Sequence, residues 1–315
     1  MTQETDSETR FRILICTDGS DESYRGVRYA ARLGQGMDAD ITLLYVRKVD
    51  QGMIGGMQVR VARENILEWG LELPGIRYLK KGRDMLVELG QMEEDWDERT
   101  THSDVRGDPL GDHMIEYQNT MGKKIRLRLK VASDILAGVL EQQKDGDHDL
   151  IIVGASGRTR NRFDKIFGVT PLALQLAVKA PCSVLVAREI EEGKGHLICV
   201  DGSKSSIEAV KRDAMISDRC ECPVSLLAVA EDEQRVDHAK DSILEATNAL
   251  KEVGIKPHKS EIRIGNIVSE IIGEGKHHSV IVLSDSGLGD LERLLSGSTV
   301  LRVLEHSETS VMIAR

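Results

Sequence analysis

Two residue patterns in this chain could do chemistry, and each occurs twice. The first is an aspartate-glycine-serine triplet closing a β-branched run. Phe11–Ser20 reads F-R-I-L-I-C-T-D-G-S, and Lys194–Ser203 reads K-G-H-L-I-C-V-D-G-S. A carboxylate at a strand end can accept from a ribose hydroxyl or a base amino group, and the serines Ser20 and Ser203 can cap the helix that follows. The same aspartates could equally do no more than cap that helix. The second pattern is glycine-rich: Gly154-Ala155-Ser156-Gly157, a ten-residue loop, then Gly168-Val169-Thr170. Its counterpart is Ser284-Asp285-Ser286-Gly287, a nine-residue loop, then Gly297-Ser298-Thr299. Glycines let a backbone approach phosphates and adopt positive φ, and a helix starting at the last glycine turns free N–H groups and a positive dipole end toward an anion. Such an arrangement can hold a nucleoside triphosphate.

The elements that must position these residues repeat as well. Asp40–Val46 (D-I-T-L-L-Y-V) matches Pro223–Val229 (P-V-S-L-L-A-V). The stretch opening D-L-I-I-V-G-A-S-G at Asp149 and ending P-C-S-V-L-V-A-R matches the one opening S-V-I-V-L-S-D-S-G at Ser279 and ending T-S-V-M-I-A-R. Short apolar runs alternating with helical stretches predict open, doubly wound α/β units on parallel sheets buried on both faces. In such sheets ligands bind beyond the carboxyl ends of the strands. The spacing predicts a tail over 1–10, one unit over 11–190 and a second over 195–315, packed as an intrachain pseudo-dimer through a short polar linker.

The first unit holds 53 more residues between equivalent points, 139 from Asp18 to Gly157 against 86 from Asp201 to Gly287. Met57–Trp69 and Gly82–Gln91 read as helical. Residues 91–124, with nine acids and four bases, read as an acidic insertion, a solvated helical excursion or lid. An alternative makes it a partner-docking element anchored by Trp96, Met114 and Tyr117.

A net charge of −10 argues against a nucleic-acid partner, which would want a basic face. No apolar stretch approaches the roughly 20 residues that span a bilayer, so a cytoplasmic protein without a membrane partner is expected. Cys16 and Cys199 share a position in the repeat and read as buried apolar residues, and neither Cys220 and Cys222 nor His277 and His278 has the spacing of a metal site. No Walker pattern and no catalytic set can be assembled.

Taken together, the motifs resemble the universal stress protein family. Its pattern is G-x-x-G, nine residues, then G-[S/T], paired with an aspartate ending the first strand. The resemblance covers both halves and leaves out the insertion. It implies a five-stranded, adenine nucleotide α-hydrolase-like fold per repeat, ATP or AMP binding in members that keep the motif, with Mg2+ only as the nucleotide's counter-ion, and pairing through the last strands. Matching residues are Asp18, Val46, Gly154, Gly157 and Gly168 in the first half, and Asp201, Val229, Gly287, Gly297 and Ser298 in the second. Thr17, Arg158, Thr170 and Thr299 complete the candidate set. By this resemblance Asp18 holds the adenosine part, Val46 lines the base pocket, and Gly154, Gly157, Arg158 and Gly168 surround the phosphates.

The two copies depart from the pattern differently. The first has one extra loop residue and Val169 in place of a hydroxyl residue, although Thr170 follows. Its loop carries Arg158, Arg160, Arg162 and Lys165, which attract phosphate. The second keeps the spacing and Ser298 but has Ser284 for the first glycine, and Asp285, Asp290 and Glu292 in its loop. Spacing favours the second copy and charge the first. The related adenylating enzymes carry a serine- and glycine-rich loop where this chain has Cys16-Thr17-Asp18-Gly19-Ser20. The expectation is therefore a stress-response regulator that binds nucleotide and is not an enzyme, with a slow ATPase as the third reading. The rival is an interaction module docking an unidentified protein partner through the insertion, and a further homodimer is left open.

Overall fold

Continuous apolar runs become strands buried on both faces. In the computed structural model, which describes residues 10–36, 39–49, 74–105, 108–155, 171–188, 193–219, 221–284 and 298–315, every residue of L-I-I-V-G and S-V-L-V-A is buried. The first repeat runs β1 (Phe11–Cys16), α1 (Asp21–Gly36), β2 (Ala39–Lys48), α2 (Pro74–Glu88), β3 (Asp97–Val105), β4 (Asp108–Gln118), β5 (Lys124–Ala132), α3 (Ile135–Gly146), β6 (Leu150–Gly154), α4 (Pro171–Lys179) and β7 (Ser183–Ala187). The second runs β8 (His196–Cys199), α5 (Lys204–Arg219), β9 (Val224–Ala230), α6 (Val236–Glu252), β10 (Lys259–Ile264), α7 (Ile267–Gly275), β11 (Val280–Ser284), α8 (Thr299–His306) and β12 (Ser310–Ala314).

The twelve strands among the described residues form one sheet in the order β10-β9-β8-β11-β12-β7-β6-β1-β2-β5-β4-β3. Within it β7-β6-β1-β2-β5 and β10-β9-β8-β11-β12 are each parallel. Because side chains alternate across a strand, Ile13 and Ile15 pack under α1 and α2, while Leu14 joins Val139 and Leu176 of α3 and α4 on the other face.

The insertion corrects the helical expectation. Its described core, β3 and β4, is an antiparallel hairpin that extends the sheet beyond β5. The physical reason is charge pairing across strands. Glu116 accepts from Arg126 Nε at 2.6 Å and lies 3.2 Å from Lys124 Nζ, and Asp112 accepts from Arg128 at 2.8 Å. Asp108, its side chain fully enclosed, accepts two bonds from Arg47 at the end of β2. Acids that looked solvated are thus the rungs of a ladder. Tyr117 is buried and Trp96 packs on the same core as α2, so two of the three suggested anchors face inward. β3 itself is an exposed, charged edge strand, which discourages pairing with another chain. The helix predicted over Gly82–Gln91 is the second half of α2, and Met57–Trp69 lies outside the described residues.

The repeats meet where β12 pairs antiparallel with β7, in the register Val186↔Val311, Leu185↔Met312 and Val184↔Ile313. This seam is closed reciprocally. Arg188, just past β7, donates to the carbonyls of Leu304 in the last turn of α8 and of Thr309 just before β12, and its backbone N–H donates to Ser310 Oγ at 2.9 Å. Arg315, just past β12, donates to the carbonyls of Ala177 and Val178 at the end of α4, and its N–H reaches Ser183 Oγ at 3.2 Å. Each repeat therefore supplies the cation that satisfies the other's last helix. Burial pushes the Arg188 guanidinium down to about 10, still charged at neutral pH. Arg188→Ala should cost about 1.5–3 kcal/mol, the range for bonds from a charged donor, and the half-exposed Arg315→Ala less. Since the two sit at opposite ends of the strand pair, urea unfolding of the double variant should show the losses adding.

A second contact across the seam is polar and enclosed. Tyr29 of α1 places its hydroxyl 3.3 Å from His196 Nε2 on β8, while His196 Nδ1 lies 2.9 and 3.0 Å from the two carboxylate oxygens of Asp213 on α5. All three side chains are buried.

Candidate functional site

Both Asp-Gly-Ser triplets emerge at the carboxyl end of a central strand, with neighbours reached by connections running in opposite directions along the sheet. The register Ile15↔Ile152 puts Asp18 beside the end of β6, where Gly154 lies. Local bonding sets the turn. Asp18 Oδ1 accepts from the Ser20 N–H at 2.9 Å and from its hydroxyl, Ser20 Oγ accepts from the Ser23 N–H at 3.2 Å, and Thr17 Oγ1 accepts from the Gly19 N–H at 3.2 Å. The second copy repeats this, with Asp201 Oδ1 accepting from Ser203 N–H at 3.0 Å and Ser203 Oγ from Ser206 N–H at 3.2 Å. One carboxylate oxygen of each aspartate thus shapes its own turn.

Gly19 and Gly202 adopt φ of 79° and 75°, the left-handed region that favours glycine. Each turn is also roofed by a ring that the sequence reading missed. A Cβ on Gly19 would fall 2.5 Å from the Tyr78 ring of α2, and one on Gly202 would meet Ser242 Oγ at 2.7 Å and His238 of α6 at 3.1 Å. His238 Nε2 lies 3.1 Å from the Asp201 carbonyl. Tyr78 and His238 both sit early in a described helix that follows the second strand of its repeat, and that shared place was the available signal.

Gly154 has a packing reason of its own. A Cβ there would stand 3.2 Å from the backbone of Glu22, so the glycine lets the first turn of α1 close on β6. At the equivalent strand end Ser284 is buried. Val46 packs on Gly138 of α3, whose Cβ would lie 2.6 Å from a Val46 methyl, and Val229 packs in the corresponding layer. Beside the two valines, in register, are Lys130 and Arg263. Both cations are engaged by acids: Lys130 with Glu141 and Asp145 at 3.4 and 3.5 Å, and Arg263 with Glu261 and Glu274 at 2.9 and 2.8 Å.

The second crevice contains a cavity of about 410 Å3, lined among others by Glu231, Gly265, Asn266, Thr299 and Arg302. Two helices begin at its wall. Asn266 caps α7 by accepting from Ser269 N–H, and Ser298 caps α8 by accepting from Leu301 N–H at 3.3 Å. Ser298 is therefore spent on the helix while Thr299 lines the cavity. Charge at the helix starts opposes that of the loops: α1 opens with Asp21 and Glu22, α5 with Lys204. Gly157, Arg158, Gly168, Thr170, Gly287 and Gly297 lie outside the described residues.

Among the described residues no group of three or more His, Cys, Asp or Glu side chains could hold a metal ion, and no helix is long and apolar enough to cross a membrane. Burial raises the Cys16 thiol to about 12 and also raises that of Cys199. His278 Nδ1 donates to the Glu274 carbonyl, 3.1 Å away, and burial pushes its pKa down.

Comparison with known proteins agrees with this architecture. The model of the Universal stress protein family matches residues 9–188 and again 196–315. Universal stress protein Slr1230 of Synechocystis sp. is 24% identical over 307 residues, covering 96% of this chain and 99% of that protein. The crystal structure of a universal stress protein from Archaeoglobus fulgidus superposes with a TM-score of 0.64 at 14% identity, covering 96% of this chain and 98% of that one. A putative universal stress protein from Pseudomonas aeruginosa superposes with a TM-score of 0.61 at 14% identity, covering 97% and 93%. Matched in two stretches that together take in both Asp-Gly-Ser turns, the chain belongs to the universal stress protein family.

Proposed function

We propose that this protein is a cytoplasmic stress-response regulator that binds an adenine nucleotide, ATP or AMP, at one or both strand-end crevices. The observation that carries the reading is the duplicated turn at the carboxyl end of a central strand, with Asp18 beside Gly154 in one repeat and Asp201 in the other. In the second repeat a 410 Å3 cavity between two helix N-termini adds to it. Asp18 and Asp201 accept from the ribose hydroxyls, Val46 and Val229 line the base, and the glycine loops with the starts of the following helices hold the phosphates. Arg158 adds a cation in the first copy, and Thr299 a hydroxyl in the second. Mg2+ accompanies the phosphates as counter-ion. The residues supply binding and orientation, and occupancy biases a partner surface without fast turnover. Docking through the insertion is disfavoured because Asp108, Asp112 and Glu116 are already paired within the sheet.

The test begins with freshly purified protein, denatured and analysed for released adenine nucleotides per chain. ATP titration by calorimetry follows. Asp18→Ala and Asp201→Ala should each weaken binding at their own crevice by about 10- to 100-fold, the loss of a charge-assisted bond. The absence of both released nucleotide and heat of binding would overturn the reading.

A further inference from the structure

We propose that the seam between the repeats carries a binding site for a small amphipathic anion, at the end of the sheet opposite the Asp-Gly-Ser turns. The site is a cavity of about 670 Å3, within the range of small-molecule pockets. It opens where β1 and β7 begin, beside Phe11 and Ser183, whereas both crevices lie where strands end.

Its origin is a break in the repeat symmetry. Aligning Asp-Gly-Ser-Asp at Asp18 with Asp-Gly-Ser-Lys at Asp201 pairs Tyr29 with Arg212, Arg32 with Met215, Leu33 with Ile216 and Ile13 with His196. On one flank of the seam Tyr29 is buried and meets His196. On the other flank both members of that contact are exchanged, Tyr29 for Arg212 and His196 for Ile13, so the polar contact has no counterpart. Arg212 is exposed and Met215 is 53% exposed, on the rim of the cavity.

The lining decides the ligand class. Phe11, Pro181, Met215 and Ile216 supply apolar surface from both repeats, and Lys144 and Arg212 supply two cations. Neither cation makes an ion pair among the described residues. The two acids of the lining both face Arg12: its backbone N–H donates to Asp149 at 2.8 Å, and its guanidinium lies 3.7 Å from the exposed carboxylate of Asp147. Arg315 is likewise occupied by the α4 carbonyls. An apolar body with one carboxylate or sulfonate matches this surface, the body on Met215 and Phe11 and the anion at Arg212 and Lys144. Because the ligand would touch both repeats, it would stabilise the seam by mass action.

The probe is 8-anilinonaphthalene-1-sulfonate, titrated by fluorescence into the full chain, with octanoate as competitor. The expected result is saturable binding that octanoate displaces and excess ATP does not. Met215→Glu and Arg212→Glu should each weaken it at least tenfold, while Leu244→Glu, at an apolar residue of α6 that is 59% exposed and outside the cavity, leaves it unchanged. Both altered residues are exposed, and an unchanged unfolding midpoint shows that each variant folds. Displacement by ATP would put the probe in the crevices and overturn the proposal. Non-saturable binding, or an equal effect of Leu244→Glu, would reduce it to adhesion to exposed apolar surface and overturn it as well.

Discussion

Replacing Asp213 with alanine should cost the folded protein about 3–5 kcal/mol, the range seen when one partner of a buried ion pair is removed. Asp213 is fully enclosed and His196 is 2% exposed, so neither can turn to water when the other is lost. The carboxylate meets Nδ1 with both oxygens, at 2.9 and 3.0 Å, and the Tyr29 hydroxyl holds the far nitrogen at 3.3 Å. Burial alone would push the imidazole's pKa down; Asp213 outweighs it, Cys222 adds to the rise, Arg32 opposes it, and the net direction is upward. A histidine raised in the folded state contributes stability in full below its ordinary value, about 6.5, and loses it as pH climbs through the raised value. The gap between wild type and Asp213→Ala in urea unfolding should therefore be widest on the acid side and narrow toward alkaline pH. A cost under about 1 kcal/mol, or one that ignores pH, would show that the pair is only a neutral hydrogen bond.

What the sequence could and could not disclose follows from how local each feature is. The strands β6 and β11 are unbroken apolar runs, and the turns after β1 and β8 are short patterns with their own internal hydrogen bonds, so both are legible residue by residue. The hairpin was not, because its stability lies in pairs such as Glu116 with Arg126 and Asp108 with Arg47, and counting nine acids against four bases cannot say which meets which. The ring over each turn escaped for the same reason. Tyr78 lies 59 residues beyond Gly19 and becomes its neighbour only when α2 packs on β2 and β5. Most remote of all is Tyr29 with His196, a contact between repeats 167 residues apart.

The seam shows what duplication followed by divergence permits. Arg188 and Arg315 preserve the two-fold relation, each closing the other repeat's last helix, and so hold the halves in one register. With the register fixed, the flanks are free to differ. One became a sealed polar contact through His196, and the other kept a cavity beside Met215. The crevices at the opposite end diverged within the same frame: Thr17 bonds the first turn where the second has Val200, and Gly154 stands where the second has Ser284.

Gly19→Ala should cost about 2–5 kcal/mol, from two separable sources. An L side chain in the left-handed region costs about 1–2 kcal/mol, and Gly19 has φ of 79°. Overpacking adds about 1–3 kcal/mol, because the new methyl would lie 2.5 Å from the Tyr78 ring. That ring cannot simply swing aside. It tilts against Tyr45 at 5.8 Å between centroids, with the Arg77 guanidinium 5.8 Å from its centre, and the Tyr78 carbonyl accepts from Tyr24 at 3.0 Å. In the Gly19→Ala, Tyr78→Ala double variant the clash disappears while the backbone strain remains, so the pair should couple by about 1–3 kcal/mol in a double-mutant cycle. At Gly202 the obstacle is chiefly the Ser242 hydroxyl, 2.7 Å away and able to rotate. Gly202→Ala should accordingly approach the backbone cost alone, about 1–2 kcal/mol. Equal losses at the two glycines, or no coupling with Tyr78, would mean that the ring does not fix the first turn. The predicted order instead makes the first Asp-Gly-Ser turn the more rigid of the two, with Asp18 held where a ligand at the strand end would meet it.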